Sequence, residues 1–250
     1  MLVLALDTTT RAGSVAVARN GTVVVERAGD PSRTQAERLP EWLLATLGAA
    51  GHTLADVDRL AVLSGPGGFT GLRVGLATVQ GLALGLERDV FVASTLEVLA
   101  WGTSQQAPVG AVVGTWMRGM RGEVFTAAYR AADSGVGRQT PSRLEAVVEP
   151  LVDIPEGAAA RWRDVLGEPG IHPILVTGDA WDTSGATLVD ALQGHVIAHV
   201  AVGLPAGLLA RLACDPAAAG VAPHAVAPTY LRKPDAVVAR ERDGAPVPGA

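Results

Sequence analysis

The chain has 250 residues, 48% of them hydrophobic and only 4% aromatic, enough for a sizeable core built mainly from Ala, Val and Leu, as one large domain or two smaller ones. Its formal net charge of −5 argues against a protein that grips nucleic acid unaided, since such proteins usually present a basic surface. Cys214 is the sole cysteine, which excludes an intramolecular disulfide and a cysteine-based zinc site and fits a reducing cytoplasm.

Residues 2–6 form a short apolar run ending in Asp7. With no basic leader before it, the run reads as a first strand and not as a signal peptide. Residues 14–18 and 23–26 are two further strands. Asn20-Gly21 between them is a strong hairpin signal, because both turn positions need positive φ. Residues 34–50 read as a helix: Leu39, Trp42, Leu43, Thr46, Leu47 and Ala50 recur at helical spacing, Gly51 sits at the C-cap, and Pro40 belongs in the first turn or at a kink. Residues 60–63 are a buried strand.

The segment from Ser64 to Gly75 holds five glycines and a proline between that strand and a helix over 72–86. A strand entering a helix through a glycine-rich turn brings backbone close to an anion or to another backbone. The helix reads as two-faced, with Leu72, Leu76, Val79, Ala83 and Leu86 on an apolar stripe and Gly71, Gly75, Thr78 and Gly85 on another, with Gly81 at its margin. Each helical glycine costs roughly 1 kcal/mol relative to alanine. Either another helix or backbone approaches closely there, or the chain is simply rich in Gly and Ala. Its apolar part, 74–86, is too short and too interrupted to span a bilayer, so a soluble cytoplasmic protein is expected.

A strand over 90–93 follows, then a helix capped by Ser94 or Thr95 with Glu97 in its first turn. Further strands are expected over 109–113, 124–129, 174–176 and 196–202, with 143–151 mixed. Residues 133–143 read as a surface loop, 187–192 as a short helix and 205–213 as a helix with Pro205 at its first position. This order, three meander strands and then alternating helix and strand with a partial echo, suggests a duplicated α/β unit with mixed sheets. The expected division is 1–104, 105–234 with its last helix packing back on the first half, and a disordered tail over 235–250.

Asp7-Thr8-Thr9-Thr10 at a strand end could hold a metal-bound phosphate or form an ordinary turn that satisfies its own backbone. No Gly-Lys-Ser/Thr phosphate loop and no Gly-x-Ser-x-Gly nucleophile elbow occurs. His195 and His199 fall in a strand-like run, where residues four apart lie roughly 13 Å from each other, so they are not expected to share an ion. Arg118 and Arg121 stand either on a solvated hairpin or against phosphate or RNA. The chain thus carries backbone binding devices without an identifiable catalytic set, which favours a binding or scaffold protein over an enzyme.

Several segments together resemble one family. They are Leu4-Ala5-Leu6-Asp7-Thr8-Thr9, the run Ser64-Gly65-Pro66-Gly67-Gly68-Phe69-Thr70-Gly71-Leu72-Arg73-Val74-Gly75, Gln80-Gly81-Leu82-Ala83, Ser94-Thr95-Leu96-Glu97, Gly122-Glu123-Val124-Phe125 and Pro228-Thr229-Tyr230-Leu231-Arg232. In this order, from residue 2 to about 235, they are similar to the bacterial TsaB (YeaZ) family. The resemblance implies an α/β fold of two ribonuclease-H-like halves, that of the acetate kinase, sugar kinase, heat-shock ATPase and actin superfamily. It implies a non-catalytic subunit that pairs with a TsaD-like catalytic subunit and works with a TsaE-like ATPase. Together they transfer a threonylcarbamoyl group to adenosine next to the anticodon of tRNA, which this chain would meet indirectly.

The family's early helices form its pairing surface, in a homodimer or with TsaD. Carried onto this sequence, that surface comprises Trp42, Thr46, Gly71, Arg73, Gly75, Thr78 and Gly85. Gly75→Leu or Gly85→Leu is then expected to impair association more than folding. Asp7, Thr8, Thr9, Gly67 and Gly68 would form a vestigial nucleotide cleft, with no metal, no cofactor required by this chain, and ATP or ADP only at the joint with the partner. Departures are Arg118-Gly119-Met120-Arg121 where members commonly have an Asp-Ala-Arg segment, Thr34 or Gln35 where many have His, and Gly68 for a frequent Ser. The alternative is an ATP-dependent small-molecule kinase of the same superfamily using Asp7. The metallopeptidase suggested by the older glycoprotease label predicts bound zinc.

Overall fold

The computed structural model describes residues 1–30, 39–132 and 144–231. The expected loop at 133–143, the expected helix start at 34–38 and the tail from 235 lie outside these residues. Alternating or continuous apolar residues build β1 (Leu2–Asp7), β2 (Ser14–Arg19) and β3 (Thr22–Ala28) as an antiparallel meander. Asn20 and Gly21 hold φ of 51° and 83°, the mirror-image turn that suits the twist of a hairpin. Two crossovers then add β4 (Arg59–Leu63) parallel to β1 and β5 (Val90–Ala93) parallel to β4, giving the order β3-β2-β1-β4-β5.

The second half repeats this order. β6 (Val112–Arg118), β7 (Val124–Ala131) and β8 (Leu144–Asp153) form the meander, and β9 (Ile174–Thr177) and β10 (Ile197–His199) add parallel strands on the other side of β6. It is the duplicated ribonuclease-H-like arrangement that the resemblance implies, with two mixed five-stranded sheets flanked by helices.

Sheet alternation sends Leu2, Leu4 and Leu6 to one face and Val3 and Ala5 to the other. The first face is covered by α1 (Leu39–Ala49) and α2 (Phe69–Leu86), through Leu39, Leu43, Leu47, Leu72, Leu76, Val79 and Ala83. Each such leucine contributes about 1.5–3 kcal/mol on burial. The inner face of this sheet is covered by α6 (Pro205–Ala213), which comes from the second half of the chain. Conversely α3 (Thr95–Ser104), from the first half, lies against β6, β7 and β9. The two helices meet where an added Cβ on Gly102 would stand 2.7 Å from the Leu208 side chain. The far face of the second sheet is covered by α4 (Pro155–Leu166) and α5 (Trp181–Ala191) through Ala158, Trp162 and Leu188.

Several elements differ from the sequence reading. β6 starts at Val112, not 109, and runs on through Gly114 and Thr115. Gly114 is bare because the Trp162 ring fills the place a side chain would take, with Cζ2 3.0 Å from an added Cβ. α5 starts six residues before the expected 187, β10 is three residues long, and α4 was not anticipated. α2 begins at Phe69, so its 18 residues, with mean hydropathy 1.3, reach by length and composition the requirement for a membrane span that 74–86 alone does not. Here its apolar stripe is buried on the sheet.

Candidate functional site

The cleft between the halves encloses about 440 Å³. The turn after β1, the glycine-rich run and the start of α2 line one side of it, and the β6–β7 hairpin and Asp179 the other. Met117, Met120, Phe125 and Val74 make much of its wall apolar. Asp7 is fully buried at the end of β1. Its Oδ1 accepts from Thr9 N and Thr9 Oγ1 (both 2.7 Å) and Thr10 N (3.2 Å), and its Oδ2 from Thr10 Oγ1 (2.5 Å) and Ser14 Oγ (3.4 Å). Five donors saturate the carboxylate, and the amides best placed to meet a phosphate in this turn are directed to it.

The glycine-rich run closes on the same turn. Gly68 N donates to Thr9 O at 3.1 Å, and an added Cβ on Gly67 would stand 2.6 Å from Thr9 Cα. Thr95 Oγ1 donates to Thr9 Oγ1 at 3.1 Å. Across the cleft, Asp179 Oδ1 accepts from Arg118 N at 2.7 Å, tying the hairpin to the end of β9. A Mg-nucleotide needs an accessible carboxylate and open turn amides; here the buried Asp7 carboxylate and the Thr9 and Thr10 amides are spent on one another, so they do not fit that group. Asp7, Thr8, Thr9, Gly67 and Gly68 do come together, as a packed turn-on-turn joint.

Among the described residues no group of three His, Cys, Asp or Glu side chains stands ready for a metal ion. His199 stacks on Trp181 with ring centroids 5.2 Å apart, whereas His195 Nε2 lies 3.1 Å from Gly167 O, so the two imidazoles have separate partners.

The glycines of α2 do not share one face. Gly75 is buried: an added Cβ would lie 3.0 Å from both Thr8 Cβ and Cγ2 and closer still to Oγ1. Thr46 is fully buried and its hydroxyl donates to Trp42 O at 2.8 Å. These two therefore turn inward, away from the pairing surface proposed for them on sequence. Trp42 is half-buried, its ring 3.0 Å from an added Cβ on Gly29, and Thr78 donates to Val74 O at 2.8 Å. Gly71 is half-buried and lines the cleft. The exposed face of α2 is Phe69, Thr70, Arg73, Ala77, Gly81, Leu84 and Gly85, beside exposed Leu44, Ala45 and Gly48 on α1. Added Cβ atoms on Gly48, Gly81 and Gly85 would meet nothing within 4 Å.

Sequence reasoning missed the way Thr229 and Tyr230 join this site. Gly65 has φ 109°, a backbone L-residues rarely adopt, and an added Cβ would lie 2.7 Å from Thr229 O. Thr229 N donates to Ser64 O at 2.7 Å, and the Ser64 and Thr229 hydroxyls are 3.1 Å apart. Tyr230 then stacks on Phe69, with centroids 5.6 Å apart, and accepts a hydrogen bond at its hydroxyl from Arg73 Nε at 2.8 Å. The signal available was the Pro-Thr-Tyr-Leu-Arg segment itself.

The family model described as TsaD, tRNA N6-adenosine threonylcarbamoyltransferase, matches residues 16–169. The tRNA threonylcarbamoyladenosine biosynthesis protein TsaB of Escherichia coli K12 is 34% identical over 93% of this chain and 95% of its own length. The Bacillus subtilis protein of the same description is 24% identical over 94% of this chain and 96% of its own. Among solved structures, YeaZ from Pseudomonas aeruginosa superposes with a TM-score of 0.70 at 28% identity, covering 92% of this chain and 99% of that one.

Proposed function

Because this chain belongs to the TsaB (YeaZ) family, we propose that it serves tRNA threonylcarbamoyladenosine biosynthesis as a non-catalytic subunit that pairs with a TsaD-like catalytic subunit. A TsaE-like ATPase completes the system, and the chain meets tRNA through its partners. The observation that carries the non-catalytic part is the saturation of Asp7: a carboxylate that accepts four hydrogen bonds from its own turn and a fifth from Ser14 on β2 has little capacity left to orient a metal or a nucleophile. It also disfavours the small-molecule kinase, which needs that carboxylate free. The pairing part is supported by the exposed, smooth face of α1 and α2, where Leu44, Ala77, Gly81, Leu84 and Gly85 leave backbone accessible to an opposing helix.

Reconstitution with the organism's own TsaD-like and TsaE-like proteins tests the reading. Modification of tRNA should require this chain, and calorimetry of the chain alone with Mg-ATP should show neither tight binding nor turnover. Modification that proceeds equally well without it, or ATP turnover by the chain alone, refutes the proposal.

A further inference from the structure

We propose that Arg73 is the anchor that receives a carboxylate of the partner protein, and that Tyr230 is the positioning residue that holds it ready. This rests on the pairing function proposed above. Arg73 is the single charged side chain of α2, and it is exposed. Its guanidinium carbon stands 3.9 Å over the Phe69 ring and 5.9 Å from that of Tyr230, and its Nε donates to the Tyr230 hydroxyl at 2.8 Å. Tyr230 is fixed in turn by its stack on Phe69 and by the Thr229–Ser64 backbone bond. Residues 157 positions apart are thus recruited to immobilise one arginine.

A surface arginine normally keeps its rotamer freedom, and fixing it costs entropy that an exposed cation–π contact only partly returns. The arrangement consumes Nε and leaves both Nη groups without a hydrogen-bond partner among the described residues. No carboxylate there pairs with it. A guanidinium fixed through Nε presents its two Nη donors as a fork, the geometry that grips a carboxylate through two parallel bonds. The neighbouring exposed residues of α2 are apolar or small, namely Phe69, Ala77, Gly81, Leu84 and Gly85, so a docked protein surface would exclude water around the pair. A nucleic-acid backbone is a poorer fit. It is held by several cations acting together, whereas α2 offers one on a chain of net charge −5.

The test measures affinity for the purified TsaD-like subunit, by calorimetry at low and high salt, for the wild type, Arg73→Ala, Arg73→Lys, Tyr230→Phe and the Arg73→Ala/Tyr230→Phe double variant. Thermal unfolding of each chain alone identifies any folding defect. Arg73→Ala should weaken pairing about 30-fold, and Arg73→Lys should not rescue it, because an ammonium has neither the fork nor the Nε. Tyr230→Phe keeps the ring on Phe69 and loses only the hydroxyl. It should weaken pairing about fivefold alone and have no further effect when Arg73 is already Ala, the non-additivity expected of groups acting as a unit. Salt should weaken the wild-type complex more than the Arg73→Ala complex. Pairing by Arg73→Ala within about twofold of wild type, or an equal Tyr230→Phe effect on both backgrounds, overturns the proposal while leaving the pairing function intact. A folded wild-type chain that does not pair removes that function and the proposal with it.

Discussion

Gly75→Ala separates two uses of a helical glycine, close packing inside the fold and a smooth face toward a partner. In α2 the substitution should gain about 1 kcal/mol from helix propensity if space were free. It is not free: the new methyl would lie 3.0 Å from Thr8 Cβ and Cγ2 and nearer to Oγ1, on a turn that β1 and the glycine-rich run hold in place. Overpacking of this kind costs about 1–3 kcal/mol, and three atoms of one side chain at 3.0 Å or closer put this case at about 2–3 kcal/mol. The expected balance is a loss of about 1–2 kcal/mol, which in a chain of this size lowers Tm by roughly 2–8 °C. Thr8→Ala removes Oγ1 and Cγ2. That hydroxyl is buried without a hydrogen-bond partner among the described residues, so its own loss is small. In the Gly75→Ala background it should recover about 1 kcal/mol. Urea unfolding of the wild type, both single variants and the double variant reads this coupling directly. A Gly75→Ala chain as stable as wild type or more so, or strictly additive effects, would refute the packing argument.

Gly85→Leu meets open space, so it should leave Tm unchanged or slightly higher while weakening pairing with the TsaD-like subunit at least tenfold by calorimetry; unchanged affinity would remove Gly85 from the surface. Gly65→Ala forces a Cβ onto a backbone at φ 109° and against Thr229 O. It should cost about 2 kcal/mol and accelerate amide exchange at Thr229, and an unchanged exchange rate would contradict the docking of that segment. The Tyr129 phenol is pushed upward, first by burial and then by the charges of Glu97 and Glu149. A folded-state value above the unfolded one means that its contribution is present below about pH 10 and is lost as the unfolded phenol ionises above it. Tyr129→Phe also removes a buried hydroxyl with no partner among the described residues. The variant should therefore be as stable as wild type or about 1 kcal/mol more stable at pH 8 and lose less stability at pH 10.5 in urea unfolding; an identical alkaline loss would contradict the assignment.

The strongly periodic elements were legible in the sequence. Asn20-Gly21 placed the first hairpin, and Pro205 at a helix start located α6 to the residue. What failed did so where tertiary neighbours override local pattern. β6 carries Gly114 and Thr115 in mid-strand, an unpromising pair until the Trp162 ring is seen occupying the vacant side-chain space. α4 buries only Ala158, Ala159 and Trp162 among many charged residues, too narrow a stripe to stand out from a loop. At the site, the residues that gather around Asp7 could be grouped, but spacing alone could not tell an open ligand from a carboxylate consumed by its own turn. Gly75 and Gly85 fall in one stripe of the sequence reading, yet one abuts Thr8 and the other faces open space. The contact between Arg73 and Tyr230 spans most of the chain and has no local signal.

The exchange of α3 and α6 between the sheets sets the order in which the molecule can be completed on the ribosome. The five strands of the first sheet are made by Ala93, but the helix that covers their inner face ends at Ala213. At about 5–20 residues per second, Val3, Ala5, Ala16 and Ala18 stay uncovered for roughly 6–24 s after the first sheet is made. Through that interval α3 likewise lacks the second sheet it will pack on. The nascent first half is thus an unfinished surface awaiting its own C-terminal residues, and a release at residue 104 would leave it so permanently.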